Sequence, residues 1–315
     1  MTWRTGWPKV IIYLLGPYLA SVVTFAGHHD FLIHTGMASA SAAVAVGTNY
    51  FFAASDEDNR LRLYSITNAT PVLDVDVTPW LRLSGGHGEV DLEGAATLGE
   101  LTFWLGSHGR AKDGRIRRDR ERLFATRIIT NGNSPQIRVA GQPYTRLLDD
   151  LVTAPQLAKF RLAEALDRAP ENGGINLEGL AAGPGGNLVI GFRSPVPEGK
   201  ALLVTLKNPQ EIIEGRSAEL GESLLLDLGG LGIRDLAWSG REWFCIAGRS
   251  SGGGTAKLYR WEPGVQPVRV DHPGFRQLNP EAVTVFGGPE DPRLLILSDD
   301  GKRNQSQFRS FWVKP

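Results

Sequence analysis

The chain reads as an all-β protein, a β-propeller of four-stranded blades with one helical insertion, and three observations predict this. From residue 35 to residue 312, short runs of β-branched and aromatic residues alternate with Gly, Pro, Asn and Asp, the pattern of many short antiparallel strands. One unit recurs along that stretch: an acidic residue with a small or apolar triplet, a turn, a second apolar run ending in a polar loop, and a third run with an aromatic. The unit repeats every 46 to 57 residues with one longer step of 85, close to the ~40 to 50 residues of a four-stranded blade.

The N-terminus stands apart. Arg4 and Lys9 precede an apolar run over 10–26 that ends in Thr24-Phe25-Ala26, which predicts a signal peptide or a short anchor within 1–30. Gly16 and Pro17 would break a spanning helix near its middle. With a signal the protein is periplasmic or extracellular, otherwise cytoplasmic, and this segment is its one route to a membrane. Residues 31–315 then form a single domain.

Blade one is Ser41-Ala42-Ala43-Val44, the run 50–54 and Leu61-Arg62-Leu63-Tyr64. Blade two is Glu93-Gly94-Ala95-Ala96, 101–106 and Arg122-Leu123-Phe124. The long step follows, and at about 147–170 Pro155, apolar Leu157, Phe160, Leu162 and Leu166, and a Glu164/Arg168 pair predict a helix. That step also has room for a sixth blade. Blade three is Glu178-Gly179-Leu180-Ala181, 188–192 and 201–206; blade four is Asp235-Leu236-Ala237-Trp238, 243–248 and Leu258-Tyr259-Arg260-Trp261; blade five is Glu281-Ala282-Val283, 294–297 and 308–312.

Composition removes several function classes. Thirty-four basic residues balance thirty-four acidic ones, so no net field draws the molecule to nucleic acid. The single cysteine, Cys245, allows no internal disulfide and no cysteine zinc cluster, and between Phe244 and Ile246 it reads as a buried apolar side chain. No Gly-x-Ser-x-Gly elbow is present, and the glycine-rich stretch 248–255 lacks the Gly-Lys-Ser/Thr ending of a phosphate loop.

In a propeller the first strand of each blade lines the central channel, so the repeated acidic position should ring one mouth of it. Glu93, Glu178, Asp235 and Glu281 are expected there, with Ser41 in blade one. The loops after each second strand reach the same mouth and carry Asp56-Glu57-Asp58-Asn59, Ser107-His108-Gly109-Arg110, Arg193, Arg249 and Asp299-Asp300. Blades one and five supply an acidic side, where Asp56, Asp58, Glu281, Asp299 and Asp300 suit Ca²⁺ with its six to eight oxygen ligands. Blades two to four supply a basic side. There His108, Arg110 and Arg193, with Glu93, Glu178 and Asp235, would bind a polar or anionic ligand. Gly106 and Gly109 frame His108 and Arg110, which suits close backbone approach to a ligand. In the competing view the carboxylates cap turns or pair with the arginines.

The segments Asp56-Glu57-Asp58-Asn59, Gly106-Ser107-His108-Gly109-Arg110, Asn176-Leu177-Glu178-Gly179-Leu180-Ala181, Gly191-Phe192-Arg193 and Leu228-Gly229-Gly230-Leu231-Gly232-Ile233-Arg234-Asp235 resemble the bacterial domain of unknown function 3616, over roughly 35–312. The resemblance implies a propeller-like protein without an established activity. It extends more distantly to the esterase-like phytase propellers, with calcium at a channel mouth, though no phytase motif matches residue by residue. Ser39 stands where the family pattern often has Asp before Ala-Ser-Ala-Ala. Two functions stay open: a non-catalytic propeller that binds a polar or anionic small molecule or a protein, and a Ca²⁺-assisted hydrolase of a phosphoester or lactone.

Overall fold

The computed structural model describes residues 31–84, 88–131, 134–251, 254–301 and 306–315. The expected signal or anchor lies outside them. No helix among the described residues is long and apolar enough to cross a membrane.

The first strand, β1 (Leu32–Thr35), belongs to the last blade. Blade one follows with β2 (Ala42–Val46), β3 (Tyr50–Ala54), β4 (Arg60–Ser65) and β5 (Leu73–Asp76). Blade two holds β6 (Leu92–Leu98), β7 (Leu101–Gly106), β8 (Leu123–Asn131) and β9 (Ser134–Tyr144); blade three holds β10 (Asn176–Ala182), β11 (Leu188–Ser194), β12 (Ala201–Leu206) and β13 (Leu220–Leu226). Blade four is β14 (Gly232–Trp238), β15 (Trp243–Gly248), β16 (Lys257–Trp261) and β17 (Val268–Val270). Blade five is β18 (Pro280–Phe286), β19 (Arg293–Ser298) and β20 (Gln307–Val313), completed by β1 on its outer edge. Each blade is an antiparallel meander, and the innermost strands β2, β6, β10, β14 and β18 touch one another in a closed ring. The protein is therefore a five-bladed propeller.

The sixth blade does not exist. The long step is taken up by the extended β8–β9 hairpin and by the insertion, which is itself not one helix. A short helix α1 (Leu147–Thr153) ends at Ala154, extended as residues before proline usually are. Short 3-10 segments follow at Pro155–Phe160, Leu162–Ala165 and Pro170–Asn172. Arg161, left-handed at φ 53°, divides the first two, and Glu164 pairs with Arg161 instead of the expected Arg168. Leu148, Leu151, Leu157 and Leu162 bury against blades two and three, so packing holds a segment whose own helical signal is interrupted.

Each gap between neighbouring blades has its own apolar cluster: Phe52 with Trp104 between blades one and two, Ile233 with Leu203 between three and four, Phe244 with Ile296 between four and five. Cys245 is fully buried in such a gap. Near the axis the inner strands must carry small residues. A Cβ on Gly94 would come within 2.8 Å of the Glu178 carbonyl oxygen, and one on Gly179 within 2.6 Å of the Ile233 side chain.

Candidate functional site: the channel mouth

Four of the five inner strands carry a β-bulge near their start, and the bulged residue is Glu93, Glu178, Arg234 or Glu281. Blade one pairs without a bulge, and Ser41 precedes its first paired residue, Ala42. A bulge leaves one residue unpaired and turns it out of the ladder. The mouth is thus ringed by Ser41, Glu93, Glu178, Arg234 and Glu281.

Asp235 was expected in that ring and is one residue too far along. Its side chain is wholly buried; Oδ1 accepts the Leu236 amide at 2.8 Å and Oδ2 accepts the Val283 amide of the next inner strand at 2.7 Å. It ties β14 to β18. Burial pushes its carboxyl well above the usual range, against the pull of those two amides.

The carboxylates of the mouth separate into neutralised and uncompensated groups. Glu178 accepts Arg193 Nη1 at 2.5 Å and Asn176 Nδ2 at 2.7 Å. Burial opposes the charge on Arg193, yet Glu178 holds its guanidinium in the protonated form more firmly than usual. Glu281 pairs with Arg234. Burial raises the Glu281 carboxyl to about 7; Arg234 pulls the other way and does not win, because Asp299, Glu178 and Asp56 add repulsion. Asp58 is held by both terminal nitrogens of Arg62, at 3.1 and 2.7 Å, and Asp300 by Arg309 at 2.8 Å. Asp299 accepts the Gly301 amide and Asn279 Nδ2.

Asp56, Asp91 and Glu93 behave differently. One carboxylate oxygen of each lies within 4.8 Å of the other two, and all three side chains are half-buried. The strands explain the convergence: Asp56 follows β3, Glu93 is the bulge of β6, and Asp91 is turned by a left-handed backbone at φ 60°. Arg120 contacts Asp91 at 2.7 Å and reaches Glu89 at 2.7 Å with its other nitrogen. Burial raises Asp91 to about 7, with Arg120 and the Ser107 hydroxyl opposing and Asp56 and Glu89 reinforcing. Glu93 has no ion pair or hydrogen bond among the described residues, and burial with Glu178, Asp91, Asp56 and Glu281 around it drives its carboxyl well above the usual range. Glu57, at the rim, is raised by burial and by Asp56 and Asp299. The cavity over these groups measures about 640 Å³. Oxygen-only ligands at this spacing could hold a metal ion.

The sequence pointed to Asp56 and Glu93 but assigned them to opposite sides, and it missed Asp91. A signal was there: Glu89, Asp91 and Glu93 alternate, the spacing that brings side chains to one face of a strand. Arg110 lines the same cavity as these carboxylates, whereas His108 does not. His108 is buried behind the mouth, with Nδ1 bonded to the Gly106 carbonyl at 2.7 Å. Arg110 donates to the Leu166 and Gly114 carbonyls and pairs with Asp167 at 2.8 Å, tethering the β7–β8 loop to the insertion. Gly106 and Gly109 permit close backbone packing: a Cβ on Gly106 would strike the Arg120 and Val90 carbonyls, and one on Gly109 would crowd the Ile175 carbonyl and Pro170.

A family described as Protein of unknown function (DUF3616) matches residues 133–291. No curated protein matches the chain. Among solved structures, Myxococcus xanthus glutaminyl cyclase is similar at 15% identity and TM-score 0.45, covering 90% of this chain and 95% of that one. An exo-β-1,3-galactanase from Clostridium thermocellum is similar at 11% identity and TM-score 0.49, covering 90% and 62%. Virginiamycin B lyase from Staphylococcus aureus is similar at 7% identity and TM-score 0.38, covering 90% and 100%. Likeness of this degree assigns no chemistry to the mouth.

Proposed function

The chain belongs to the family described as Protein of unknown function (DUF3616), and from that premise we propose that this member is a binding propeller. In this reading its channel mouth holds a hard divalent cation, calcium by preference, and presents it to a polar ligand or a protein partner. The observation that carries it is the convergence of Asp56, Asp91 and Glu93 within 4.8 Å. Oxygens bound to Ca²⁺ at about 2.3–2.6 Å lie at most about 5 Å apart across the ion, so the three fit one coordination sphere with room for exogenous ligands. Arg120 pairs with Asp91, while Glu93 has no ion pair among the described residues and feels only the more distant pull of Arg193, which Glu178 already holds. A cation would relieve that repulsion. Arg193, lining the same cavity, would meet an anionic part of the ligand.

Melting curves in Ca²⁺, Mg²⁺ and chelator, each beside sodium chloride of equal ionic strength, test the proposal. At a hundred times the dissociation constant, a cation that binds only the folded chain stabilises it by about 2.7 kcal/mol, a rise of a few degrees for a domain of this size. The rise should disappear in Asp56→Asn and Glu93→Gln. Curves unmoved by any of the three additions would overturn it.

Hydrolysis of a phosphoester or lactone is the second reading. It is favoured by Glu281, a carboxyl raised to about 7 in the same mouth and so able to take a proton from a cation-bound water near neutral pH. A panel of such esters with and without Ca²⁺ separates the two. Turnover that needs Ca²⁺ and is lost in Glu281→Gln marks a hydrolase, and silence leaves the binding propeller.

A further inference from the structure

Between the outer edges of blades one and two, where β5 meets β9, a surface groove of about 530 Å³ is lined by Trp80, Arg82, Ile137, Arg138 and Val139 among others, and none of its lining residues is a carboxylate. It shares no lining residue with the cavity over the acidic cluster. Trp80 is 44% exposed, and Arg82 and Arg138 are exposed beside it. A single exposed apolar side chain means little, but this one stands on a turn that is pinned at both ends. At the start of the 3-10 turn Thr78–Trp80, the Thr78 amide donates to Asp76 at 2.8 Å and its hydroxyl accepts Asn59 Nδ2 at 3.1 Å. At the far end Arg82 has a left-handed backbone at φ 53°, which a residue with a side chain keeps only where its surroundings impose it. The group that imposes it is the buried Arg122. Its Nε donates to the Leu81 carbonyl and its Nη2 to the Arg82 carbonyl, both at 3.0 Å, while Nη1 donates to those of Arg118 and Glu121.

The groove is positive and otherwise apolar. Arg82 gives one nitrogen to Gln142 at 2.9 Å, which orients the guanidinium and leaves its other N–H groups to the groove. Neither Arg82 nor Arg138 has an ion partner among the described residues. β9 is the outermost strand of its blade, so the backbone on its outer side offers N–H and C=O groups that no described strand takes up. We infer that this groove is a second ligand site, for an acidic sugar of the uronate class whose ring packs its C–H face on the Trp80 indole and whose carboxylate meets the Arg82 guanidinium. The indole supplies rigid apolar surface for the ring, the guanidinium fork matches a carboxylate, and ring hydroxyls, each able to donate and accept, suit the open edge of β9. The volume is that of a small-molecule site, and Arg138 carries the positive charge further along it, which favours a chain of such sugars over a single one. The site is independent of the cation reading.

The test titrates D-glucuronate into the full chain by calorimetry at constant ionic strength. Glucose, which keeps the ring and lacks the carboxylate, acetate, which keeps the carboxylate and lacks the ring, and AMP, a ring-bearing anion of another class, are the comparisons. Glucuronate should bind about ten-fold tighter than any of the three, and a tetramer of galacturonate tighter still. Trp80→Ala and Arg82→Ala should each weaken glucuronate binding about ten-fold, and Arg82→Lys, which keeps the charge without the fork, by less. Arg82→Gly relaxes the left-handed backbone, so it should melt no lower than the parent while losing as much affinity as Arg82→Ala; lost binding is then not lost folding. Asp56→Asn with Glu93→Gln should leave glucuronate affinity unchanged, so failure of the mouth proposal and failure of this one are distinguishable. Glucuronate that binds no tighter than glucose or acetate, AMP that binds tighter than glucuronate, or binding that survives Trp80→Ala would overturn the site.

Discussion

At the scale of single residues the mouth shows how one extra residue changes a role. Arg234 occupies the ring and Asp235 the gap between blades because the bulge in β14 falls one position before the acid. Asp235→Ala should therefore cost about 1–3 kcal/mol by leaving the buried Val283 amide without its acceptor. It should leave Ca²⁺ affinity unchanged; urea unfolding and calcium titration of the same variant check both halves. Glu281 gives a pH-dependent expectation of defined sign. Its carboxyl ionises near 4.5 when unfolded and near 7 when folded, so the stability it contributes is complete below the lower value and is lost as pH rises through the upper one. Glutamine imitates the neutral acid without that loss. Glu281→Gln should gain on the parent between pH 4.5 and 7.5, by up to about 3 kcal/mol, and parallel curves across that range would show that the raised value is wrong.

At the scale of elements, much was legible and some was not. The blades could be counted because each presents the same order of small inner strand, apolar second strand and third strand, the last with an aromatic in all but blade three, as in Gly94-Ala95-Ala96, Leu105 and Phe124. The bulges were hidden, because a bulge shifts the pairing of two strands and leaves no mark on the composition of either. Hence Asp235 was placed in the ring and Arg234 was overlooked. Asp91 was overlooked because it lies just before β6, held by a left-handed backbone that favours Gly and Asn over Asp only by degree. The insertion looked helical because its leucines recur at helical spacing, while Pro155 and Arg161 divide it. The closing strand β1 carries its own test. His34 bonds Ser310 at 2.8 Å and stacks on Phe308, and burial lowers its imidazole from 6.5 to about 4 although the nearby Asn68 backbone pulls upward. A base with a lowered folded value contributes stability that is complete above 6.5 and is lost as pH falls toward 4. The parent should weaken over that interval by up to about 3 kcal/mol, and His34→Phe should show a shallower fall in denaturant midpoint. An equal slope in both would remove His34 as the acid-sensitive clasp.

At the scale of the whole molecule, balanced charge conceals local imbalance. The acidic and basic totals are equal, yet Asp56, Asp91 and Glu93 share one corner of the mouth where Arg120 divides itself between Asp91 and Glu89, while Arg193 and Arg234 are committed to Glu178 and Glu281. Net charge said nothing of this corner, because pairing is decided by which loops the ring brings together. The ring has one further property, a mechanical one. β1 runs antiparallel to β20, with Leu32 opposite Ser310 and Thr35 opposite Gln307, so a tether before residue 32 and another after residue 313 pull on the same end of that strand pair. Load then falls on one rung at a time, as in a zipper, instead of on all rungs in shear. In an optical trap gripping the chain at these two points, β1 should peel away at low force, as a small extension that precedes rupture of the remaining blades, and the fifth blade becomes the weak seam of an otherwise closed ring.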